Sequence, residues 1–320
     1  MSQPDPQPGS SPGPQPGAGA GPLLLQTKAA LSAARPALGA PVVLVPTMGA
    51  LHSGHRALLA AAREQAGPDG SVIVSVFVNP LQFRPGEDLD RYPRTLDDDV
   101  AMCASEGVQA VFAPSAAEMY PGGQPDVTVN PGPVGQTFEG EFRPGFFDGV
   151  LTVVLKLLHQ VRPDVAVFGE KDAQQLMLVR RMVGDVDLDI IIASVPTVRD
   201  ADGLATSSRN RYLSAADRAV ALTLSRGLRA GAAQGPRGGP AVLAAAEKVI
   251  RGEAGLTVDY VAVVDPRTFG PVAPDYAGPA LIVVAARVGS TRLIDNVPVV
   301  LAADPDGPET EGQSSDAADH

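Results

Sequence analysis

The sequence has little of three features, and each scarcity excludes a class of protein or site: cysteine, clusters of basic residues and long apolar runs. Its single cysteine, Cys103, excludes an intrachain disulfide and fits a reducing compartment. Without a cluster of lysine and arginine, nothing predicts a surface for nucleic acid or anionic lipid. The lack of a signal-peptide pattern and of an apolar run long enough to cross a bilayer predicts a soluble, cytoplasmic protein.

The two ends of the chain differ in composition from its middle. Residues 1–22 are mostly Pro, Gly, Gln, Ser and Ala, and residues 303–320 contain six acidic residues and neither lysine nor arginine. Because neither segment has enough apolar surface to offset the entropy of ordering, we expect a disordered leader and a disordered acidic tail. The remaining length and a hydrophobic content of 44% predict two domains, at 23–198 and 199–302.

A predicted strand and a predicted helix meet at the first candidate site. The apolar run 42–45 predicts a buried parallel strand, and the alanine-rich segment 56–66 predicts a helix. His52 and His55 lie between them, where unpaired backbone N–H groups and the helix dipole favour a bound phosphate. Alternatively, one histidine caps the helix while the other packs against the sheet. Backbone is expected to approach a ligand closely at the glycines of this turn, Gly49 and Gly54.

A second strand end repeats this arrangement. The run 164–168 predicts another buried strand, and Gly169-Glu170-Lys171-Asp172 and a helix follow it. Lys171 is a compact cation at the place where a phosphate would lie, and Asp172 suits equally well the N-cap of the helix. Gln175, one helical turn further along, is expected to face the same cleft as Lys171.

Three other segments carry candidate ligands. Gln82 follows the predicted strand 71–78 and could bind a hydroxyl or carboxylate group, or face water as a loop amide. The loop Thr206-Ser207-Ser208-Arg209 would suit a phosphate clamp, although such a loop alone is more often solvated. Thr95 before a run of acids predicts a helix N-cap, and one of those acids, Asp99, is a candidate Mg²⁺ ligand beside bound phosphates.

The later part of the chain changes character. The glycine- and proline-rich loop 131–144 has the length of a functional lid. Beyond it, two alanine-rich helices at 215–229 and 241–251 precede strands at 258–264, 281–286 and 292–298. This pattern predicts a smaller α+β domain with an antiparallel sheet, following an α/β domain with a parallel sheet.

Taken in order, these motifs resemble the pantothenate synthetase family, the ligases that join pantoate to β-alanine. The resemblance extends from about residue 23 to residue 300 and rests on Pro46–His55, Phe77–Phe83, Tyr92–Thr95, Phe168–Asp172 with Gln174-Gln175, Pro196–Arg199 and Ser207–Asn210. As a set these motifs are far more specific than any one of them. The resemblance implies a Rossmann-like catalytic domain, a C-terminal α+β lid domain and a homodimer.

The resemblance also implies a reaction. ATP would activate pantoate as pantoyl-adenylate, and β-alanine would then displace AMP, with Mg²⁺ neutralising the pyrophosphate. Gln82 and Gln175 would bind pantoate or β-alanine. His55 would be a general acid or a hydrogen-bond donor to phosphate. Other groups that would stabilise the phosphate charge are His52, Lys171, Ser207, Ser208 and Arg209. The ATP contacts implied by position are Met48, Gly49, Ala50, Leu51, His52, Ser53, Gly54, His55, Gly169, Glu170, Lys171, Asp172, Val198, Thr206, Ser207, Ser208 and Arg209.

The chain departs from the family pattern at two positions. Phe146 stands where the family usually has histidine, and Thr206 stands where methionine is common. The first removes an imidazole near the substrates, and the second should be tolerated. A nucleotidyltransferase with a similar His-x-Gly-His strand end is an alternative, opposed by the glutamine-bearing helix and the C-terminal domain. A catalytically silent nucleotide-binding regulator is a further alternative, favoured only by Phe146.

Overall fold

The computed structural model describes residues 21–302. The predicted acidic tail, and all of the predicted leader except residues 21 and 22, lie outside the described range. The first part of the chain contains the strands β1 (Leu23–Leu25), β2 (Val42–Thr47), β3 (Ser71–Val76), β4 (Ala110–Phe112), β5 (Val165–Gly169) and β6 (Ile191–Val195). Its helices are α1 (Lys28–Ala34), α2 (Ser53–Ala66), α3 (Leu96–Ser105), α4 (Ala116–Met119), α5 (Glu139–Phe142), α6 (Phe146–Val161) and α7 (Ala173–Asp185).

The six strands of the first part form one parallel sheet in the order β1-β4-β3-β2-β5-β6. Its central strand, β2, is fully buried at Val42–Val45, because helices cover both faces of the sheet. The chain runs outward from β2 to β3 on one side and returns to β5 on the other. In open α/β sheets, such a reversal leaves a ligand crevice at the carboxyl ends of the strands.

The second part contains α8 (Ala215–Ala232), α9 (Gly238–Ile250), β7 (Leu256–Val264), β8 (Gly278–Val288) and β9 (Thr291–Leu301). Its strands form an antiparallel sheet in the order β7-β8-β9, and the two helices pack on it around Leu224, Leu228 and Ile282. The predicted fold class, a Rossmann-like parallel sheet with a smaller α+β part, is confirmed. No helix within residues 21–302 combines the length and apolarity needed to cross a membrane.

Several element boundaries differ from the sequence prediction. Helix α2 begins at Ser53 rather than at residue 56, so that His52 is its N-cap. Strand β1 has no counterpart in the sequence prediction, because three residues are too few to show a period. Only its pairing with β4 defines it as a strand.

The loop at 131–144, expected to be a lid, is fixed by one side chain. Gln174, only 3% exposed, donates from its amide to the carbonyls of Val134 and Thr137, at 2.9 Å each. Its Oε1 accepts the backbone N–H of Glu139 at 3.1 Å. The amide thus satisfies three peptide groups of the loop and anchors it, and a role of the loop as a lid stays a prediction.

A buried ionic network joins the two parts of the chain. The guanidinium of Arg292, on β9, donates to both carboxylate oxygens of Glu139 at 2.6 and 2.7 Å and to Asp259 at 2.7 Å. The hydroxyl of Tyr260 donates to Glu139 at 2.9 Å. Such a network stabilises the fold only while every member keeps its partners, because removal of one leaves buried charges uncompensated.

We therefore expect Arg292→Met to lower the free energy of unfolding by about 3–5 kcal/mol, since Glu139 and Asp259 lose their counter-charge. Urea unfolding followed by circular dichroism measures this. The matched control is Arg267→Met, because Arg267 pairs with Asp265 while its side chain is 80% exposed. Because water screens an exposed pair, its loss should change the free energy of unfolding much less. Equal losses in the two variants would contradict the role given to the buried network.

Candidate active site

A cleft of about 620 Å³ lies at the carboxyl ends of the parallel strands and is bordered by the C-terminal part. Strands β2 and β5 are direct neighbours, with Val43 opposite Val165, so the turns that follow them open into the same space. Most of the predicted site residues line this cleft: Met48, His52, Gly54, His55, Gln82, Gly169, Lys171, Asp172, Gln175, Val198, Thr206, Ser207, Ser208 and Arg209. The turn with the two histidines, the turn with Lys171 and the serine–arginine loop are far apart in the sequence but border the same cleft.

Some predicted ATP contacts lie outside this lining. Ala50 and Leu51 are buried behind it, Glu170 accepts a hydrogen bond from the hydroxyl of Ser194, and Ser53 starts α2. At Gly49, a Cβ would lie 2.8 Å from Asp99 and 2.9 Å from Val76. Gly49 therefore leaves room for protein atoms on the side where a Cβ would lie, and the close approach of a ligand to its backbone stays a prediction.

The two histidines form a reciprocal cap at the start of α2. The Nδ1 of His52 accepts the N–H of Gly54 at 3.1 Å, and the Nδ1 of His55 accepts the N–H of His52 at 3.2 Å. The predicted alternative of a capping histidine thus holds for His52, while both residues also line the cleft. Because each Nδ1 is an acceptor, the proton of each neutral ring is on Nε2, which remains as a donor.

Both imidazoles are neutral at physiological pH. Burial lowers the pKa of His52 to about 4, assisted by the positive charges of Lys171 and Arg211. Burial lowers the pKa of His55 to about 3, assisted by His52 and Lys171. Of the two roles implied for His55, the neutral ring favours the hydrogen-bond donor to phosphate over the general acid at neutral pH. A neutral Nε2–H can still donate a hydrogen bond to phosphate.

Lys171 stands in a turn that the C-terminal part fixes. The side-chain amide of Asn296, on β9, donates to the carbonyls of Glu170 and Lys171, at 2.9 Å each. Within residues 21–302, the ammonium group of Lys171 has no hydrogen-bond or ion-pair partner. Asp172 precedes α7 but makes no capping hydrogen bond with its side chain. The cleft therefore contains a cation and a carboxylate that are both available to a ligand.

The serine–arginine loop is fixed by residues from the segment before α3. The hydroxyl of Ser207 caps the turn by accepting the N–H of Arg209 at 3.3 Å, and the hydroxyl of Ser208 lies 3.2 Å from that of Tyr92. Arg209 donates to both oxygens of Asp88, at 3.0 and 3.1 Å. Although burial opposes ionisation, these hydrogen bonds leave the pKa of Asp88 below its usual value. A phosphate bound by Arg209 would join or replace this pair.

Gln82 faces the first motif across the cleft. The amide of Asn79, itself 1% exposed, donates to the Oε1 of Gln82 at 3.0 Å, and Gln82 donates to the sulfur of Met48 at 2.9 Å. Asn79 is fixed in turn by the hydroxyl of Tyr120 and the carbonyl of Gly149. The alternative of an amide facing water is wrong, because Gln82 is oriented into the site by a buried partner.

Phe146, which replaces an expected histidine, supports an arginine. The guanidinium of Arg143 lies 3.8 Å from the centre of the Phe146 ring, in a cation–π contact. The same guanidinium donates to both carboxylate oxygens of Glu87, at 2.9 and 2.6 Å, and to the carbonyl of Gln82 at 3.0 Å. At the other departure, the hydroxyl of Thr206 donates to Asp200 at 2.8 Å, so that its polar group is satisfied.

Asp99 is removed as a metal candidate. Its carboxylate is 2% exposed and accepts the backbone N–H groups of Ala50 and Leu51 at 3.0 and 2.8 Å. Thr95 is the N-cap of α3, as predicted, but its side chain makes no capping hydrogen bond and instead donates its hydroxyl to Asp99 at 3.3 Å. Within the described part of the chain, no group of three or more His, Cys, Asp or Glu side chains could hold a metal ion.

Comparison with known proteins decides the family. The family model described as pantoate-beta-alanine ligase matches residues 24–298, which is most of the chain. The chain belongs to the pantoate–β-alanine ligase family. The resemblance drawn from the motifs is confirmed.

Members of this ligase family match over nearly their whole length. The pantothenate synthetase of Thermobifida fusca is 58% identical over 289 residues, covering 88% of this chain and 96% of that protein. The pantothenate synthetase of Salinispora arenicola is 58% identical over 283 residues, covering 87% and 98%. Identity at this level across both parts supports one common architecture.

Solved structures agree with this assignment. The pantothenate synthetase from Thermus thermophilus superposes with a TM-score of 0.79 at 47% identity, covering 86% of this chain and 98% of that one. A pantoate-beta-alanine ligase from Francisella tularensis, complexed with beta-gamma ATP and beta-alanine, gives 0.71 at 32% identity, covering 86% and 97%. The fold of the pantoate–β-alanine ligase family is therefore common to all of them.

Sequence reasoning missed the residues that hold the side chains and turns of the candidate site in place. Their shared signal is weak, because each acts on a segment far away in sequence. Asn79 stands directly after a strand and could have been found from that position, whereas the other partners carry no local pattern. The missed residues are Asn79, Asp88, Tyr92, Arg143 and Asn296.

The neutral histidines predict a pH dependence of stability. Unfolded histidine takes up a proton near pH 6.5, whereas folded His55 does so only near its pKa of about 3. The stabilisation is therefore complete above about pH 6.5 and is lost as the pH falls toward the folded-state pKa. We expect the free energy of unfolding to fall from pH 7 to pH 5, by at most about 1.4 kcal/mol per pH unit for each such proton.

The variant that tests this is His55→Asn. Its side-chain oxygen can replace Nδ1 as the acceptor of the cap but does not titrate. Urea unfolding followed by circular dichroism at several pH values should give a shallower slope than in the wild-type chain. A slope as steep as that of the wild type would show that His55 is not kept neutral by folding.

Proposed function

We propose that this chain joins pantoate to β-alanine, using ATP and releasing AMP and pyrophosphate. The observation that carries the proposal is the convergence of the imidazole pair, Lys171 and the serine–arginine loop on one cleft, beside two glutamine amides. Hydrogen-bond donors and cations suit a triphosphate, and amides suit a small hydroxy acid. The ATP and beta-alanine in the Francisella tularensis ligase support the same pair of ligands.

The reaction would proceed in two steps. A carboxylate oxygen of pantoate attacks the α-phosphorus of ATP, the bond to pyrophosphate breaks, and a mixed anhydride with AMP forms. The amine of β-alanine then attacks the acyl carbon, the bond to AMP breaks, and an amide remains after loss of a proton. Gln82 and Gln175 would orient pantoate, since Gln82 is already aligned by Asn79.

The described residues give the phosphates donors of two kinds. Lys171 and Arg209 supply positive charge, whereas the Nε2–H groups of His52 and His55 supply neutral hydrogen bonds. Placed before the reaction, such donors stabilise charge that develops on the phosphorus oxygens without reorganisation of water. The cleft would also have to exclude water while the anhydride is present, because hydrolysis would otherwise destroy it.

We further propose that Mg²⁺ arrives as a substrate, already bound to the phosphates of ATP. The donor set fits this, because Mg²⁺ needs only one or two protein carboxylates when phosphates and water supply the rest. Asp172 would be such a carboxylate, since it lines the cleft and makes no capping hydrogen bond. We propose in addition that the chain acts in the cytoplasm as a homodimer.

The proposal is tested by an assay for AMP with each substrate omitted in turn. Release of AMP should require ATP, pantoate and β-alanine together, because the adenylate is held until the amine arrives. Transfer of a nucleotide to a phosphate ester without AMP release would favour a nucleotidyltransferase. ATP binding without any AMP would favour a silent regulator.

Lys171→Ala should lower kcat by about 10²–10³-fold, the usual cost of removing one preorganised donor. Steady-state release of AMP measures this, with circular dichroism to show that the variant is folded. The control is Lys248→Ala, an exposed lysine of α9, which should keep wild-type turnover. Unchanged turnover in folded Lys171→Ala would remove this lysine from the mechanism.

Phe146→Leu should raise KM for pantoate several-fold, because Arg143 loses the ring that aligns it on the carbonyl of Gln82. A cation–π contact contributes about 0.5–2 kcal/mol, which corresponds to a change of about 2- to 30-fold. The same assay on Phe146→His shows what the imidazole usual in the family would contribute here. A KM that is the same in Phe146→Leu and the wild type would show that the stacked ring does not orient Arg143 for substrate.

A further inference from the structure

The carboxylate of Asp99 is buried without a counter-charge. It is 2% exposed, and within residues 21–302 no lysine, arginine or histidine pairs with it. Its partners are the N–H groups of Ala50 and Leu51, at 3.0 and 2.8 Å, and the hydroxyl of Thr95 at 3.3 Å. A buried ionised group persists only where hydrogen bonds replace its hydration, so these donors define the place of the carboxylate.

The turn that Asp99 binds has an unusual backbone. Gly49 and Ala50 both have positive φ, +79° and +51°, and consecutive N–H groups of the turn point to one side. Successive backbone N–H groups arranged this way form a concave site for an anion. Here that anion belongs to the protein, and a Cβ at Gly49 would lie 2.8 Å from it. The carboxylate and the turn therefore fit each other closely.

The same turn carries cleft residues at both of its ends. On one side is Met48, whose sulfur accepts a hydrogen bond from Gln82 at 2.9 Å. On the other is His52, the N-cap of α2 and the first half of the reciprocal cap with His55. A shift of the turn would therefore move a substrate-side group and the imidazole pair together.

We propose that Asp99 is a positioning residue: its carboxylate holds the Gly49–Leu51 turn so that Met48, His52 and His55 face the cleft correctly. Asp99 lies outside the cleft lining and acts only through the backbone that it binds. The kinetic consequence of the proposal rests on the proposed function, whereas its geometric consequence does not.

The variant that tests this is Asp99→Asn. It keeps the shape of the side chain, but its amide can accept from only one of the two N–H groups and brings an N–H against the other. We expect kcat/KM for ATP to fall about 10- to 100-fold, because a small misplacement of binding groups has an effect of this size. The matched control is Asp98→Asn, the exposed neighbouring acid in the same first turn of α3, which should stay within about twofold of wild type.

Proton NMR of the histidine rings separates positioning from mere stability. The chain has four histidines, so their ring signals can be assigned by single substitutions. Charged groups that face His52 are Lys171, Arg211, Asp200 and Asp172, and they remain in every variant. Burial is the main cause that lowers the pKa of His52. If the turn shifts in Asp99→Asn, the ring should become less buried, and we expect its signal to titrate closer to pH 6.5 than in the wild type and in Asp98→Asn. A purely structural role would lower the urea midpoint without moving this titration.

Each outcome decides the proposal. A folded Asp99→Asn with the kinetics and ring titrations of Asp98→Asn would overturn it. Should Asp99→Asn fail to fold, Thr95→Val removes only the hydroxyl donor to Asp99 and should give a smaller change in the same direction; no change there would overturn the proposal. If the wild-type chain itself releases no AMP, the proposed function fails, and the ring titrations alone decide the role of Asp99.

Discussion

The pairing of β2 with β5 is the constraint on which the rest of the cleft depends. These strands lie far apart in the chain, yet they are parallel neighbours, with Leu44 opposite Ala166. Parallel neighbours end at the same edge of a sheet, and each of these two is followed by the start of a helix. Hydrogen bonds between the two backbones therefore bring the histidine turn and the lysine turn to the same edge of the sheet. A different strand order would separate them.

Turns at strand ends leave peptide groups without partners, and this protein satisfies them with side chains from other segments. Asp99 accepts the N–H groups after β2, and Asn296 donates to the carbonyls after β5. Gln174 does the same for the loop at 131–144, and Asp88 fixes Arg209. Each of these side chains is supplied by a segment distant in sequence. These hydrogen bonds hold the turns and loops that carry the cleft residues.

The electrostatics of the cleft follow from burial. Two imidazoles that are desolvated beside Lys171 stay neutral, which avoids adding two positive charges to a cleft that Lys171 and several arginines already line. Their acceptor nitrogens are already used by the helix cap, so the remaining Nε2–H groups are oriented donors. The guanidinium of Arg143, in contrast, is aligned by its ion pair with Glu87 and by the ring of Phe146.

The sequence by itself determined the fold class, the strand and helix cores, and the segments that form the cleft. It could do so because apolar runs and glycine-rich turns act locally, and because the order of the motifs is specific to one family. Only the tertiary structure decided that His52 is a cap, that Gly49 packs against Asp99 and that Phe146 lies under Arg143. The physical reason is that hydrogen bonds, burial and stacking depend on which distant segments become neighbours. A sequence pattern can indicate that a side chain is buried or polar, but it does not show which distant residue that side chain contacts.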